Sequence, residues 1–288
     1  MYSRIHRLIL EIKNFLPEVD FPLISTSSFE NQSSISSPYA LKVPVEREPP
    51  SQSHFYKHVF NKQPVLIQRA MQDWPALKPG SVQSWSGFQR ILKIAGHRTV
   101  PVEVGRHYMC TNWTLKLMPL QEYFRRHVLN GSTTNTAAKG GVTGYVAQHE
   151  LFKQVPELCS DVRIPEYCAV EPRNNDGEEV QVNVWLGPSG TTTPLHYDRY
   201  HNFLCQVLGE KKITMFAPNS SSYLHPCKPP LNNTSQVDPY SPGRYSDVLK
   251  QPHWEVTLHP GEMLYIPPGW WHHVQSKSAS ASVNFWWL

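Results

Sequence analysis

Residues that could bind a metal ion lie close together at two places in the chain. His196 and Asp198 are two residues apart in the segment PLHYD at 194–198. If this segment is a β-strand, both side chains face the same side, because side chains alternate along a strand. An imidazole and a carboxylate could then bind one metal ion together. Alone, a His-x-Asp triplet is weak evidence, because such triplets occur by chance in many proteins and a hydrogen-bonded structural histidine is the commoner explanation.

A third ligand must come from another part of the fold. The segment IPPGWWHHV at 266–274 supplies two candidates, His272 and His273. Adjacent residues of a strand face opposite sides, so only one of them can bind the ion. Two histidines and one carboxylate leave three coordination positions open, which suits non-haem Fe(II) and the activation of O2. The pattern therefore predicts an iron oxygenase site.

The elements that must position these residues are mostly short strands. Helical periodicity over residues 2–16 predicts an N-terminal helix, and a Ser-rich linker follows at 25–39. We therefore divide the chain into an N-terminal segment, 1–45, and a main domain, 46–288. Helices are predicted near 55–61, 85–95 and 120–129. Strands bounded by Pro, Gly and Asn, which favour a sandwich or barrel, are predicted at 64–68, 99–104, 143–147, 179–186, 196–208, 211–217, 254–258, 262–266 and 280–287.

One turn is predicted in detail. Asn202–Leu208 is an apolar strand, Gly209-Glu210 fits a two-residue type II′ turn, and Lys211 begins a returning strand. This pattern predicts a hairpin. If the strand continues unbroken from His196, the Asn202 amide faces the same side as the two candidate ligands.

Charge and composition limit the classes of partner. The net charge is +4 and the basic residues are scattered, which permits a nucleic-acid partner without indicating one. Five cysteines without a CxxC pair favour reduced thiols and an intracellular protein of the nucleus or cytoplasm. The sequence contains no apolar run long enough for a membrane span, so we expect no membrane association.

Several ordered motifs give the sequence a specific resemblance. The chain resembles the Jumonji-C (JmjC) Fe(II)- and 2-oxoglutarate-dependent oxygenases over roughly residues 50–288. Within this family it is most similar to the branch of Jumonji-domain-containing protein five, which is known for arginyl hydroxylation. The resemblance implies a mainly β fold with flanking helices, a double-stranded β-helix or cupin-like jelly roll. The motifs are TPLHYD at 193–198, NFL at 202–204, GEK at 209–211, PGEMLYIP at 260–267, WH at 271–272 and SVNFWW at 282–287, with VPVEVG at 100–105, YVAQH at 145–149 and IPEYC at 164–168 for the branch.

The resemblance also implies roles for individual residues. The family's Trp-His-x-Val pattern selects His272 as the third ligand of Fe(II), beside His196 and Asp198. Lys211 corresponds to the lysine that pairs with the far carboxylate of 2-oxoglutarate. That carboxylate would otherwise be an unpaired charge inside the barrel. The remaining residues implied to bind this co-substrate, which reacts with O2 at the iron, are Tyr145, Thr193 and Asn202.

The substrate implied by the branch is an arginine-containing protein or peptide. Glu103 could bind a guanidinium group through two hydrogen bonds, and Trp185 could provide an aromatic wall. Gln148 and Asn183 complete the predicted substrate pocket. Structural roles remain open: Glu103 could be a solvated strand residue and Trp185 a core aromatic residue.

Three other functions use the same scaffold. They are a histone methyl-lysine demethylase, a tRNA-base hydroxylase and a non-enzymatic cupin-like binding protein. We expect a monomer, because the chain lacks the C-terminal helices through which the asparaginyl hydroxylase of hypoxia-inducible factor dimerises.

Overall fold

The computed structural model describes residues 38–129, 143–169 and 179–288. The helix predicted over residues 2–16 and nearly all of the Ser-rich segment lie outside the described residues. Within them, no helix is both long and apolar enough to cross a membrane. The strands are β1 (Ala40–Lys42), β2 (Val45–Glu46), β3 (Val65–Ile67), β4 (Thr99–Val104), β5 (Thr114–Pro119), β6 (Gly144–His149), β7 (Gln181–Gly187), β8 (Thr192–His196), β9 (His201–Leu208), β10 (Lys211–Phe216), β11 (His253–Leu258), β12 (Met263–Ile266), β13 (Trp271–Ser276) and β14 (Ser280–Trp287).

The strands form two sheets. One has five strands in the order β1-β11-β10-β13-β8, and the other has nine in the order β2-β3-β12-β9-β14-β7-β6-β4-β5. Most neighbouring strands are antiparallel, and strands that are distant in sequence lie side by side. This arrangement confirms the predicted cupin-like jelly roll.

Short helices pack against the outer face of the nine-stranded sheet. Their apolar residues, such as Phe55, Ile91 and Phe124, share one buried cluster with Phe203 and Phe285 of the sheet. The α-helices are Gln52–His54, Gln89–Ala95, Leu120–Tyr123 and Leu151–Gln154, the π-helical turns are Phe55–Val59 and Phe124–Leu129, and the 3-10 turns are Pro75–Leu77, Ser86–Phe88, Pro156–Asp161, Glu166–Ala169, Pro218–Tyr223 and Gly243–Lys250.

The inner face of this sheet lies towards the five-stranded sheet. Leu204 and Leu264 of the nine-stranded sheet share a cluster with Ile213 and Met215 of the other. Side-chain alternation gives β9 and β14 one apolar outer face and one inner face with polar residues. Both faces are buried, so nearly all residues of these two strands are inaccessible to solvent.

The predicted hairpin at residues 202–216 is wrong. Gly209 does adopt a positive φ of 69°, as a type II′ turn requires at its first central position. However, β9 pairs with β12 and β14, whereas β10 pairs with β11 and β13 of the other sheet. The turn therefore carries the chain from one sheet to the other. An apolar strand, a tight turn and a second strand look the same in sequence for both arrangements.

The single strand predicted at 196–208 is also wrong, because β8 ends at His196 and β9 begins at His201. Asp198 lies in the intervening loop. The other predicted strands are confirmed, with their ends within two residues. Sequence patterns did not predict β1, β2 and β5, and they gave no bounds for β13, although His272 and His273 were treated as strand residues.

Candidate metal centre and co-substrate pocket

Three predicted ligands meet at one end of the five-stranded sheet. His196 ends β8 and lies opposite His272 of β13, with the ring centroids 4.3 Å apart. Oδ2 of Asp198 lies 3.7 Å from Nε2 of His196 and 3.6 Å from Nε2 of His272. The structure therefore brings together a two-histidine, one-carboxylate group that could bind a metal ion.

Backbone hydrogen bonds orient both histidines. Nδ1 of His196 lies 2.8 Å from the carbonyl oxygen of Pro194, and Nδ1 of His272 lies 3.0 Å from that of Trp270. A carbonyl oxygen only accepts, so each Nδ1 must donate its proton. A ring that carries its proton on Nδ1 alone keeps a lone pair on Nε2, the atom that faces Asp198. This tautomer is the one that a metal ion requires at Nε2.

Asp198 fits a ligand role for a second reason. Its Oδ2 atom is buried and has no hydrogen-bond partner among the described residues. Burial raises the pKa of this carboxyl group, and nearby His196 opposes the shift. Burial also lowers the pKa of His272 to about 3, so this imidazole is neutral. A buried carboxylate oxygen without a partner is costly, and a divalent cation would offset that cost. The residues present therefore fit Fe(II).

His273 points away from this group. It is buried, and its ring packs edge-on against Tyr240 at 5.1 Å between centroids. Burial lowers the pKa of His273 to about 4, so the ring is neutral and contributes to packing. Strand alternation thus places the two adjacent histidines on opposite faces of the five-stranded sheet.

Lys211 is buried in the same pocket. Its side chain is only 1% exposed, and Nζ donates a 3.2 Å hydrogen bond to the hydroxyl of Tyr145. Within the described part of the chain, no carboxylate lies within 4.0 Å of Nζ, and burial lowers the pKa of this lysine to about 7. The side chain of Thr193 lies near the hydroxyl of Tyr145. An anion bound here would restore the favourable charged state of Lys211.

The metal group and Lys211 line one pocket between the two sheets. It encloses about 370 Å³, part of which is open to solvent. Asn202 faces this pocket although the strand that was predicted to orient it is broken. The walls of the pocket are formed by Tyr145, Trp185, Thr193, His196, Asp198, Asn202, Leu204, Lys211, Ile266, His272, Val274, Asn284 and Trp286.

The chain is similar in sequence to several known proteins. A family model described as "Cupin-like domain" matches residues 50–288. Jumonji C domain-containing protein 5 of Drosophila melanogaster is 39% identical over 242 residues, which cover 83% of this chain and 58% of that protein. Lysine-specific demethylase 8 of Xenopus tropicalis is 39% identical over 245 residues, covering 83% and 51%. The human bifunctional peptidase and (3S)-lysyl hydroxylase JMJD7 is 28% identical over 273 residues, covering 85% and 84%.

The chain belongs to the cupin-like Jumonji-C family. It spans little more than half the length of the first two relatives.

The residues predicted to bind substrate in this Jumonji-C domain do not all reach the pocket. Trp185 lines it, whereas Glu103, Gln148 and Asn183 are absent from its walls. Glu103 of β4 lies opposite Tyr145 of β6, and its carboxylate accepts a 3.2 Å hydrogen bond from the indole of Trp113. Asn183 is buried, and its Nδ2 atom has no partner among the described residues.

Gln148 lies at an irregularity of the sheet. The register between β6 and β7 shifts between Val146 and His149, and Gln148 has a positive φ of 48°. Bulges of this kind redirect side chains and are common beside active sites. The sequence contains no glycine here that would have predicted the positive φ.

Two residues near the site were not assigned from sequence. Asn284 links Trp185 to Asn202 through hydrogen bonds of 2.8 Å and 3.2 Å. Tyr108 lies near Glu103 and Asp198, and burial, together with these two carboxylates, raises the pKa of its hydroxyl. Asn284 lies in a motif of the family resemblance, but its bonds depend on how strands β9, β14 and β7 pair.

Proposed function

We propose that this chain is an Fe(II)- and 2-oxoglutarate-dependent dioxygenase that hydroxylates an arginine side chain of a protein. One observation carries the proposal. Asp198, whose Oδ2 atom is buried, and the buried amino group of Lys211 line the same pocket without an ion pair between them in the described part of the chain. Such a pocket suits a metal cation beside Asp198 and the anionic group of a bound co-substrate beside Lys211.

The protein's own residues would divide the work. His196, Asp198 and His272 would bind Fe(II), which supplies the activation of O2 coupled to oxidative decarboxylation of 2-oxoglutarate. Lys211 and Tyr145 would hold the far carboxylate of the co-substrate, together with Thr193 and Asn202. Leu204, Ile266, Val274 and Trp286 would limit the access of water to the reacting atoms.

Arginine is the substrate that the surroundings of Glu103 support best. Its carboxylate acts on the pKa of both Tyr145 and Tyr108, so it lies near both hydroxyl groups. A carboxylate near the pocket could bind a planar guanidinium group through two hydrogen bonds. Trp185 offers an aromatic surface for the side chain.

The test compares peptides with the Fe(II)-loaded protein and 2-oxoglutarate. An arginine peptide should stimulate succinate formation and gain one oxygen atom by mass spectrometry, whereas the same peptide with lysine should do neither. Glu103→Gln should reduce this stimulation while 2-oxoglutarate binding is retained. If no arginine peptide stimulates turnover and tRNA does, the proposal is refuted.

Methyl-lysine demethylation is the second candidate. The similarity to lysine-specific demethylase 8 of Xenopus tropicalis, which is 39% identical, favours it. Hydroxylation of an N-methyl group would use the same metal site, and the product would decompose with release of formaldehyde. Formaldehyde released from methyl-lysine peptides, without oxygen gain on arginine peptides, would select this candidate.

A further inference from the structure

The inner face of the nine-stranded sheet contains a directional chain of hydrogen bonds. The indole Nε1 of Trp185 donates to Oδ1 of Asn284 at 2.8 Å, and Nδ2 of Asn284 donates to Oδ1 of Asn202 at 3.2 Å. The three residues lie on neighbouring strands, β7, β14 and β9. Asn284 is only 1% exposed, so water cannot replace either bond.

The direction of this chain follows from the chemistry of its first member. An indole N–H can only donate, so the atom of Asn284 that faces Trp185 must be the amide oxygen. The NH2 group of Asn284 must then face Asn202, and the amide oxygen of Asn202 must accept the hydrogen bond. The NH2 group of Asn202 is left to point elsewhere, and no acceptor within the described residues takes a hydrogen bond from it. Since Asn202 lines the pocket, its N–H donors are available to a ligand there.

We propose that Trp185 acts through Asn284 to fix the orientation of the Asn202 amide, so that Asn202 presents N–H donors to the co-substrate pocket. Asn284 and Trp185 are in this respect positioning residues. The inference rests on the proposed function, because 2-oxoglutarate would supply the oxygen atom that accepts a hydrogen bond from Asn202. The two hydrogen bonds therefore connect Trp185, which is predicted to contact the substrate, with Asn202 in the co-substrate site.

The first test reverses the polarity of the chain with Asn284→Asp, which keeps the shape of the side chain. An ionised carboxylate still accepts from Trp185 but cannot donate to Asn202. The Asn202 amide must then turn and present its oxygen to the pocket. The affinity of the Mn(II)-loaded protein for 2-oxoglutarate, measured by calorimetry without O2, should fall at least tenfold at pH 8. A protonated carboxyl group can donate to Asn202, so the loss should shrink as the pH is lowered to 6.

A second variant separates orientation from charge. Asn284→Leu removes both bonds without adding a charge, so the amide of Asn202 is free to turn and the dissociation constant should rise severalfold. If Asn284 acts through Asn202, the double variant Asn202→Leu/Asn284→Leu should have a dissociation constant within twofold of that of Asn202→Leu alone. Indole 1H–15N spectra, assigned with Trp185→Phe, should show the Trp185 signal move upfield in Asn284→Leu.

Ser282 provides a matched control on the same strand and face. Its hydroxyl donates to Gln206 at 2.6 Å, it is fully buried, and it does not line the pocket. Ser282→Ala should reduce stability and leave 2-oxoglutarate affinity within twofold of the unaltered protein. If Asn284→Asp and Asn284→Leu also remain within twofold at pH 8, the proposed relay is overturned. If the unaltered protein itself does not bind 2-oxoglutarate, the proposed function fails instead.

Discussion

The two imidazoles of the candidate metal centre are held by their own Nδ1–H bonds to backbone carbonyls, at Pro194 and Trp270. The positions of these acceptors fix which nitrogen of each ring carries the lone pair. Asp198 completes the site, and its buried Oδ2 atom accepts no hydrogen bond from any residue that the structure describes. A bound cation would stabilise the two Nε2 lone pairs and the buried carboxylate oxygen. The three residues together therefore indicate a metal centre, although each residue alone could have a structural role.

The adjacent histidines give a sharp test of this assignment. His272→Ala should weaken Mn(II) binding on the order of 100-fold or more, because it removes a ligand atom. His273→Ala should leave Mn(II) affinity within a few-fold and lower the free energy of unfolding by about 1–2 kcal/mol, because only packing against Tyr240 is lost. Calorimetric titration with Mn(II) and urea unfolding measure the two effects. A reversed order of metal affinities would contradict the assignment of His272.

Lys211 predicts how the affinity for 2-oxoglutarate depends on pH. Burial lowers its pKa to about 7 without an anion, and a bound carboxylate favours the charged form and raises the pKa again. Binding should therefore take up a proton above about pH 7, and the 2-oxoglutarate dissociation constant should rise by up to about tenfold per pH unit. Calorimetry of the Mn(II)-loaded protein in buffers of different ionisation enthalpy measures the uptake. An affinity that stays constant from pH 7 to 9 would refute this role.

The same shift predicts how stability depends on pH in the protein without ligand. Above about pH 7 the unfolded chain binds more protons at Lys211 than the folded chain does. Burial of Lys211 therefore lowers the free energy of unfolding by less as the pH rises. Lys211→Met should therefore raise the free energy of unfolding more at pH 6 than at pH 9. Urea unfolding at the two pH values measures the difference, and equal gains would show that the buried lysine remains charged throughout.

At the level of strands and turns, sequence predicted the parts better than their connections. Side-chain alternation predicted that His272 and His273 face opposite ways, and the ends of the predicted strands other than 196–208 were found to within two residues. The same patterns wrongly paired β9 with β10 and wrongly placed Asp198 inside a strand. Local sequence sets the period and the turn, but the choice of sheet depends on contacts with strands far along the chain.

Gly209 is the residue on which the passage between the sheets depends. A Cβ atom there would come within 2.1 Å of the carbonyl oxygen of Ala279, and φ is 69°. Gly209→Ala should lower the free energy of unfolding by about 2–4 kcal/mol, because both the backbone and a neighbouring turn must move. Gly261→Ala is the control, since φ is 89° with no atom within 4 Å, and it should cost about 1–2 kcal/mol. Equal losses in urea unfolding would show that the close approach at Gly209 has no energetic weight.

For the whole molecule, the pocket exists only because the two sheets close over it. His196, Lys211 and His272 belong to the five-stranded sheet, and Tyr145 and Asn202 belong to the other. Sequence motifs predicted most of these residues because each motif is short and local. They did not predict the Trp185–Asn284–Asn202 bonds or the position of Tyr108, which depend on the register between strands and on loops that meet in space.

The most direct test of the account is the metal dependence of 2-oxoglutarate binding, measured by calorimetry without O2. The unaltered protein should bind 2-oxoglutarate tightly only with Mn(II) or Fe(II) present. Asp198→Ala and Lys211→Met should each abolish tight binding while the protein stays folded. Equally tight binding without metal, or in Asp198→Ala with metal, would contradict the account.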